Sequence, residues 1–501
     1  MKQYQITLMP EGRSIPAQEG QTIQQALQTA GVPADAPCGG RGTCGKCRCL
    51  VDGVSQLACQ THVTRDCTVE LPQKEQTSVL TTGIGAAVQP DGEAEYALAF
   101  DIGTTTVVAY LLDGKHGALL ATASALNPQT AFGGDVISRI QHILDHPGTT
   151  ELRDCIRRCL ASLTEEAAAK AGLDPAQIGL ACVVGNTAMH HLFLGIDPTS
   201  LTVPPYMPQV YERMEIPAEG ILPLAPGAKI RMLPNIAGFV GADTVGCMAA
   251  TEFDQLDRLT LMIDIGTNGE MVLGDRTRRV ACSTAAGPAF EGAKIRFGMR
   301  GAPGAIDHVN VEDRKLVCSV IGGGAAKGIC GSGLLDAVYA LLQLEMVEES
   351  GRMDEDAGQT ERWETFEGLK AVRLEDGVCL TQKDVRELQL AKAAIRAGIE
   401  LLMKKLGVQA EDIRQVFLAG AFGSYLRPAS ACGIGMIPPV LREKIVPIGN
   451  AAGAGAQRCA LRRSEFEHSG ALAAGTEFIE LASMPEFQDC YVDCLSFEEE
   501  E

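Results

Sequence analysis

The chain opens on an alternating run, Tyr4-Gln5-Ile6-Thr7-Leu8, in which every second residue is apolar, the period of a strand with one face toward a core. Pro10-Glu11-Gly12 supplies a turn, and Arg13 to Ala17 can return as a second strand. Thr22 and Gln25 have the spacing of a capping box, Ile23, Ala26, Leu27 and Ala30 fall on one helical face, and Gly31 stops the helix. Residues 1–71 are thus expected to form a small unit. Residues 72–95 are polar with turn formers at both ends, the composition of an exposed linker. From Tyr96 onward, short apolar strands, glycine turns and helices such as 382–406 alternate as in an α/β enzyme, with the polar stretch 345–378 expected as a surface insertion.

An internal echo organises this larger part. Leu98-Ala-Phe-Asp-Ile-Gly-Thr-Thr-Thr recurs as Leu261-Met-Ile-Asp-Ile-Gly-Thr-Asn-Gly, and each copy is followed by another apolar strand. Two similar lobes facing each other, about 96–257 and 258–501, are the natural inference.

Composition narrows the partners. At 501 residues the chain exceeds one ordinary domain, and 63 acidic against 43 basic residues give a net charge of -20, which argues against nucleic acid or an anionic membrane as the main partner. No run reaches the roughly 18 apolar residues of a spanning helix, and the first residues do not form a signal peptide, so a cytoplasmic location is expected. Scattered through such a chain, 18 cysteines favour thiols and metal ligands over disulfides.

One group of cysteines has ligand spacing. Cys38, Cys44, Cys47 and Cys59 follow the pattern Cys-x5-Cys-x2-Cys-x11-Cys inside a loop with glycines at 39, 40, 42 and 45. A buried 2Fe-2S cluster needs backbone N–H groups close to its sulfurs, and those glycines permit the approach. The first gap is one residue longer than the plant-type Cys-x4-Cys-x2-Cys, but the remote fourth cysteine and the preceding strands and helix agree with it. Four cysteines also cage zinc; zinc ribbons usually present two Cys-x2-Cys pairs, whereas this loop has one. Cys49 and Cys67 lie nearby and read as small thiols outside the ligand set. Cys490 and Cys494 are close enough in sequence to chelate a metal but, like the other scattered cysteines, read as small buried thiols.

The two echoed segments have the form of phosphate loops. A strand delivers Asp101 or Asp264 at its end, and a turn at Gly103 or Gly266 brings backbone N–H groups toward an anion. Thr104, Thr105, Thr106, Thr267, Asn268 and Gly269 complete the two loops. A carboxylate repels phosphate, so the catalytic work open to Asp101 and Asp264 is holding Mg2+, usually through water, or orienting the attacking water. A third element, Phe417 to Tyr425, runs an apolar strand into Gly420, Ala421, Phe422 and Gly423, where a flat base could lie against bare backbone. Glu291, surrounded by glycine and proline, is a further candidate for nucleotide binding. His190-His191 reads as partly buried surface or a helix end, and Glu498 to Glu501 as a solvated tail.

Together the three elements resemble the phosphate-1, phosphate-2 and adenosine motifs of the acetate and sugar kinase/Hsp70/actin (ASKHA) superfamily, in the same chain order. No Gly-x4-Gly-Lys-Ser/Thr segment competes as a P-loop. The implied fold is multidomain α/β: an N-terminal β-grasp 2Fe-2S ferredoxin-like domain, then a two-lobed ATPase. That combination resembles the reductive activators of corrinoid-dependent enzymes. The likeness extends through Asn127-Pro-Gln, Gly134-Asp-Val-Ile-Ser-Arg-Ile, Gly185-Asn-Thr-Ala-Met-His-His, Leu233-Pro-Asn-Ile-Ala-Gly-Phe-Val-Gly-Ala-Asp, Ala286-Gly-Pro-Ala-Phe-Glu-Gly-Ala and Gly328-Ile-Cys-Gly-Ser-Gly.

The resemblance implies ATP-dependent reduction of a corrinoid protein from cob(II)alamin to cob(I)alamin. Reduced ferredoxin or flavodoxin would donate the electron, and a homodimer is possible. Plant-type clusters sit near roughly -400 mV, and the resemblance implies a cobalt couple lying lower. Since about 59 mV is tenfold for one electron, the transfer runs uphill and gives ATP a purpose. Larger family members carry linker and middle domains between ferredoxin and ATPase units, so the short 72–95 segment implies that these are trimmed away. Other readings stay open: an ATP-driven donor resembling activators of 2-hydroxyacyl-CoA dehydratases, a redox-sensing nucleotide-binding regulator, or a small-molecule kinase.

Overall fold

The computed structural model describes residues 2–30, 32, 40, 42, 47–71, 84, 88–287, 289–292, 294–356, 360–423 and 425–497. Of the sequence-derived expectations, Gly31 as a helix stop, Cys38, Cys44 and the Glu498 to Glu501 run lie outside the described residues.

The first unit is a five-stranded sheet in the order Arg13–Gln18, Gln3–Met9, Cys67–Glu70, Arg48–Val51, Val54–Leu57, with the helix Ile23–Thr29 packed on it. Gln3–Met9 runs antiparallel to Arg13–Gln18 and parallel to Cys67–Glu70, the pairing of a β-grasp. The alternation seen in the sequence decides the packing: Ile6, Leu8, Ile15 and Ala17 turn inward against Ile23, Ala26 and Leu27. The helix starts at the expected capping box, with Gln25 N donating to Thr22 Oγ1 at 3.2 Å and Thr22 N to Gln25 Oε1 at 2.9 Å.

The echo becomes an architectural repeat. One six-stranded sheet orders Met214–Pro217, Lys229–Met232, Ile178–Gly185, Tyr96–Ile102, Thr106–Asp113, Leu119–Leu126. The other orders Ile445–Gly449, Gln415–Ala419, Thr260–Ile265, Gly269–Gly274, Arg279–Thr284, Glu477–Phe478. In each, the Asp-bearing strand forms an antiparallel hairpin on one side and pairs in parallel with a later strand on the other.

The outer face of the first sheet packs on the helix Glu151–Ala171, and that of the second on Gly331–Gln343 and Gln382–Leu406. The last of these helices begins and ends where its sequence pattern predicts. Between the inner faces lie Ala242–Ala250 and Ala451–Leu461, two helices of small residues sharing one core with both sheets. A side chain on Gly455 would meet Gly246 O at 2.0 Å, so the two backbones touch and only glycine fits there.

Two expectations change. Residues 345–378 are not simply a surface insertion: Trp363–Phe366, Leu369–Glu375 and Val378–Thr381 make a three-stranded sheet. Its buried Val372, Leu374 and Leu380 join the core of the second lobe, because alternation within the charged stretch gives it one apolar face. Nor is all of the linker exposed and loose. Ile84 N donates to Ile448 O at 3.0 Å, and Asp91 N to Leu461 O at 3.1 Å. Glu93 is held by Arg231, whose side chain is fully buried, and by Arg463 at 2.8 Å.

Candidate functional site

Both phosphate loops are tight hairpin turns at the inner ends of their sheets. In the first, Gly103 N donates to Thr106 O at 2.9 Å; in the second, Gly266 N donates to Asn268 O at 2.9 Å. The first loop is braced by its own lobe. Asn127 donates from its backbone N to Thr105 O at 2.9 Å and from Nδ2 to Gly103 O at 2.8 Å. Asn186 Nδ2 donates to Thr104 Oγ1 at 3.0 Å, and the buried Arg139 donates to Thr104 O. Burial holds the Arg139 guanidinium down to about 10.

The third element closes on the second loop. Gly420 sits at φ +87°, and a side chain there would meet Asp264 Oδ1 at 2.6 Å. Only glycine serves both requirements, the left-handed backbone and the close approach. Phe422 stacks on Phe290 with ring centroids 4.6 Å apart. Gly269 opens a strand and faces Thr284 and Ile395, while Gly423 lies over Leu418, so these two glycines have packing neighbours. Ala421 lies within the short helix Gly420–Gly423.

Asp101 and Asp264 lie within electrostatic reach of one another in a buried acidic group that also contains two carboxylates the sequence did not single out, Asp243 and Glu270. Burial pushes Asp101 and Asp264 up to about 6. Asp243 is pushed up to about 7, by burial first and then by the charges of Asp264 and Asp101. Glu270 is raised by burial, then by Asp243 and Asp264. Asn450 Nδ2 steadies Asp101 Oδ2 at 2.8 Å, and the Cys247 thiol, held protonated chiefly by burial, lies 3.7 Å from Asp264 Oδ2. Among the described residues no three His, Cys, Asp or Glu side chains converge closely enough to cage a metal directly. The donors are hard carboxylate oxygens, which suits a magnesium ion that keeps several of its waters.

Asp243 ends one of the strings that carried the family resemblance, and Asn127, Arg139 and Asn186 lie in others. Those strings were the available signal, although none revealed a role. Asn450 caps the helix Ala451–Leu461 through Gly453 N, a position visible in sequence as an Asn before small residues.

Glu291 joins the lobes. Its Oε1 accepts from Thr105 Oγ1 of the first loop at 3.1 Å and from Thr267 Oγ1 of the second at 2.9 Å. Thr106 begins the strand leaving the first loop, and Asn268 closes the second. His190 and His191 lie in the buried helix Thr187–Leu194, His191 in its last turn, so of the two expectations the helix end holds and the surface does not; burial lowers both, His190 to about 3.

In the ferredoxin-like unit, Cys47 and Cys59 are buried with their sulfurs 3.2 Å apart, and Gln60 Nε2 points at Cys59 Sγ from 3.7 Å. Converging thiols with an N–H donor beside them fit the chemistry of an iron–sulfur ligand set. The Cys49 thiol is pushed up to about 11 by burial and by Cys67, a protonated thiol ill suited to bind iron. This unit touches the first lobe where Gln28 Nε2 donates to Ala131 O, at the end of the turn that Asn127 caps. Arg48, next to Cys47, lines a cleft of about 1290 Å³ shared with Val136 and Phe239 of the first lobe and with Thr267, Asn268 and Lys294 of the second.

Known proteins align with this arrangement. Residues 6–64 match the 2Fe-2S iron-sulfur cluster binding domain, residues 96–256 the RACo middle region, and residues 258–501 the C-terminal domain of RACo, the ASKHA domain. The match over 96–256 corrects one expectation: the family's middle region is not trimmed away but corresponds to the stretch read from sequence as the first ATPase lobe. The chain is 38% identical over 422 residues to the corrinoid activation enzyme RamQ of Eubacterium limosum, covering 80% of this chain and 71% of that protein. It is 26% identical to the [Co(II) methylated amine-specific corrinoid protein] reductase of Methanosarcina barkeri, over 80% of this chain and 77% of that one. The solved structure of a reductive activator for corrinoid,iron-sulfur protein superposes with a TM-score of 0.73 at 28% identity, covering 99% of this chain and 98% of that chain. The ferredoxin-like unit, the two-lobed fold and the extent of these matches together mean that the chain belongs to the RACo family of reductive activators of corrinoid proteins.

Proposed function

We propose that this protein uses ATP to drive an electron from its 2Fe-2S cluster to a corrinoid protein, returning cob(II)alamin to cob(I)alamin. The observation that carries the reading is the pairing, in one chain, of converging buried thiols with two opposed phosphate loops over an acidic cleft. The 2Fe-2S group supplies one-electron chemistry at Cys38, Cys44, Cys47 and Cys59. These residues hold it and, with Gln60, tune its charge. Reduced ferredoxin or flavodoxin donates the electron.

Nucleotide lies between the lobes, its adenosine against Gly420–Gly423 and its phosphates toward Gly103–Thr106 and Gly266–Asn268. Asp101 and Asp264 hold a hydrated Mg2+ and orient the attacking water, with Asn450 fixing the rotamer of Asp101. Burial and mutual repulsion favour the protonated forms of Asp243 and Glu270, and a cation held beside them shifts both toward the carboxylate. Because Arg48 and Thr267 line one cavity, a change in the second loop reaches the wall beside the cluster. That continuity supports coupling between nucleotide state and cluster presentation.

The test mixes anaerobically reduced protein with a cob(II)alamin-loaded corrinoid protein and Mg-ATP and follows the cob(I) absorbance. ATP-dependent appearance of cob(I) is expected from the wild type and is lost in Cys59→Ser. Equal rates with and without ATP would refute the proposal.

A further inference from the structure

Glu291 is held in place on both sides. Phe290 before it stacks on Phe422 of the adenosine segment, and Gly292 after it sits at φ +73°, where a side chain would meet Met299 N at 2.7 Å. Between these anchors, a single carboxylate oxygen accepts from Thr105 at 3.1 Å and from Thr267 at 2.9 Å. The two donors belong to opposite lobes.

Each threonine hydroxyl carries one proton, so a hydroxyl that donates to Glu291 cannot at the same time donate to a phosphate oxygen. The adenosine segment belongs to the second lobe and touches Asp264. A nucleotide lying along it therefore reaches the first lobe with its most distant phosphate. On the placement proposed above, the group of ATP that spans Thr105 and Thr267 is its third phosphate, which ADP lacks. An anionic oxygen between these hydroxyls has the charge and hydrogen-bonding character of a phosphate oxygen.

Building on the nucleotide site set out above, we infer that Glu291 is the residue that makes the protein distinguish ATP from ADP. Its carboxylate competes with the terminal phosphate for Thr105 and Thr267, so ATP must displace it while ADP need not. ATP binding thereby exchanges an internal clasp between the lobes for one made through the nucleotide, and the energy of that exchange limits ATP affinity. A residue that merely orients water would leave affinity unchanged and govern turnover.

The experiment measures equilibrium binding of ADP and of a non-hydrolysable ATP analogue, both with Mg2+, to the full-length protein. Glu291→Ala and Glu291→Gln are compared with wild type, and ATP hydrolysis is followed in parallel. Releasing two hydrogen bonds to a charged group is expected to tighten analogue binding by at least about tenfold in Glu291→Ala, with ADP affinity changing less than about threefold. Glu291→Gln, which keeps the shape but not the charge, falls between and serves if the alanine variant misfolds. Weaker binding of both nucleotides, equal tightening of both, or unchanged affinity with slowed hydrolysis would each overturn the inference. Wild-type protein that binds neither nucleotide would instead refute the underlying nucleotide site, a different and separately visible result.

Discussion

The two phosphate loops share Asp-Ile-Gly-Thr and are held in different ways. Gly103–Thr105 is gripped by Asn127, Arg139 and Asn186 of its own lobe. Gly266–Asn268 closes on itself through Gly266 N and Asn268 O; Glu291 accepts from Thr267, and Gly420 packs on the strand end at Asp264 and Ile265. Similar motifs on similar hairpins therefore differ in the bracing that remote segments supply. The first loop is the fixed reference of the site. The second lies beside the cleft that Arg48 lines.

The sharpest way to break this comparison is to remove the chemistry common to both loops. Asp264→Ala is expected to cut ATP-dependent formation of cob(I) by about 100-fold or more while circular dichroism stays native, since a group acting on transition-state charge is lost. If activation persisted, the loops would be structural turns alone.

Next comes the bracing itself. Arg139→Ala strips a buried donor from Thr104 O and is expected to destabilise by about 1–3 kcal/mol, lowering the melting temperature by several degrees. Asn268→Ala, in the second loop, should leave melting almost unmoved and weaken nucleotide binding several-fold. Equal thermal losses in both would erase the distinction.

The cleft's acidity gives a pH test of what both loops face. Asp101, Asp264 and Asp243 have folded-state values near 6, 6 and 7, above the usual carboxylate range. The folded chain therefore binds protons more tightly than the unfolded one across this window. The contribution of these three carboxyl groups to stability consequently falls as pH rises from about 4 to 7. Melting temperature should rise by a few degrees between pH 7.5 and 5.5 without nucleotide, and saturating Mg-nucleotide should flatten that slope by stabilising the ionised forms. An unchanged slope would show that the cation is held elsewhere.

The smallest effect belongs to Gln28→Ala, which deletes one bond between the ferredoxin-like unit and Ala131. It is expected to cost about 1 kcal/mol or less. The readout is faster proteolytic cleavage in 72–95, with ATP hydrolysis by the remaining chain unchanged; an unchanged cleavage rate would mean that this contact does not hold the unit.

Much of the architecture was legible because its signals are local. Alternation in 4–8, the capping box at Thr22 and Gln25, and the helix 382–406 each depend on neighbours a few residues away. The echo of Asp101 in Asp264 was legible because the repeat preserves both strand and turn. The buried face of 345–378 was obscured by its charges. The docked part of the linker was obscured because Glu93 finds Arg231 and Arg463 from far along the chain.

By itself, then, the sequence pointed to the kinds of site, a cysteine loop with the spacing of iron ligands and two glycine turns of phosphate-loop form, through residue type and short spacing. Only the tertiary structure decided which residues share them. Asn450 lies 349 positions from the Asp101 it steadies, and Glu291 lies 186 from Thr105. Such pairings arise when two lobes pack across helices of small residues, and no local periodicity encodes that closure.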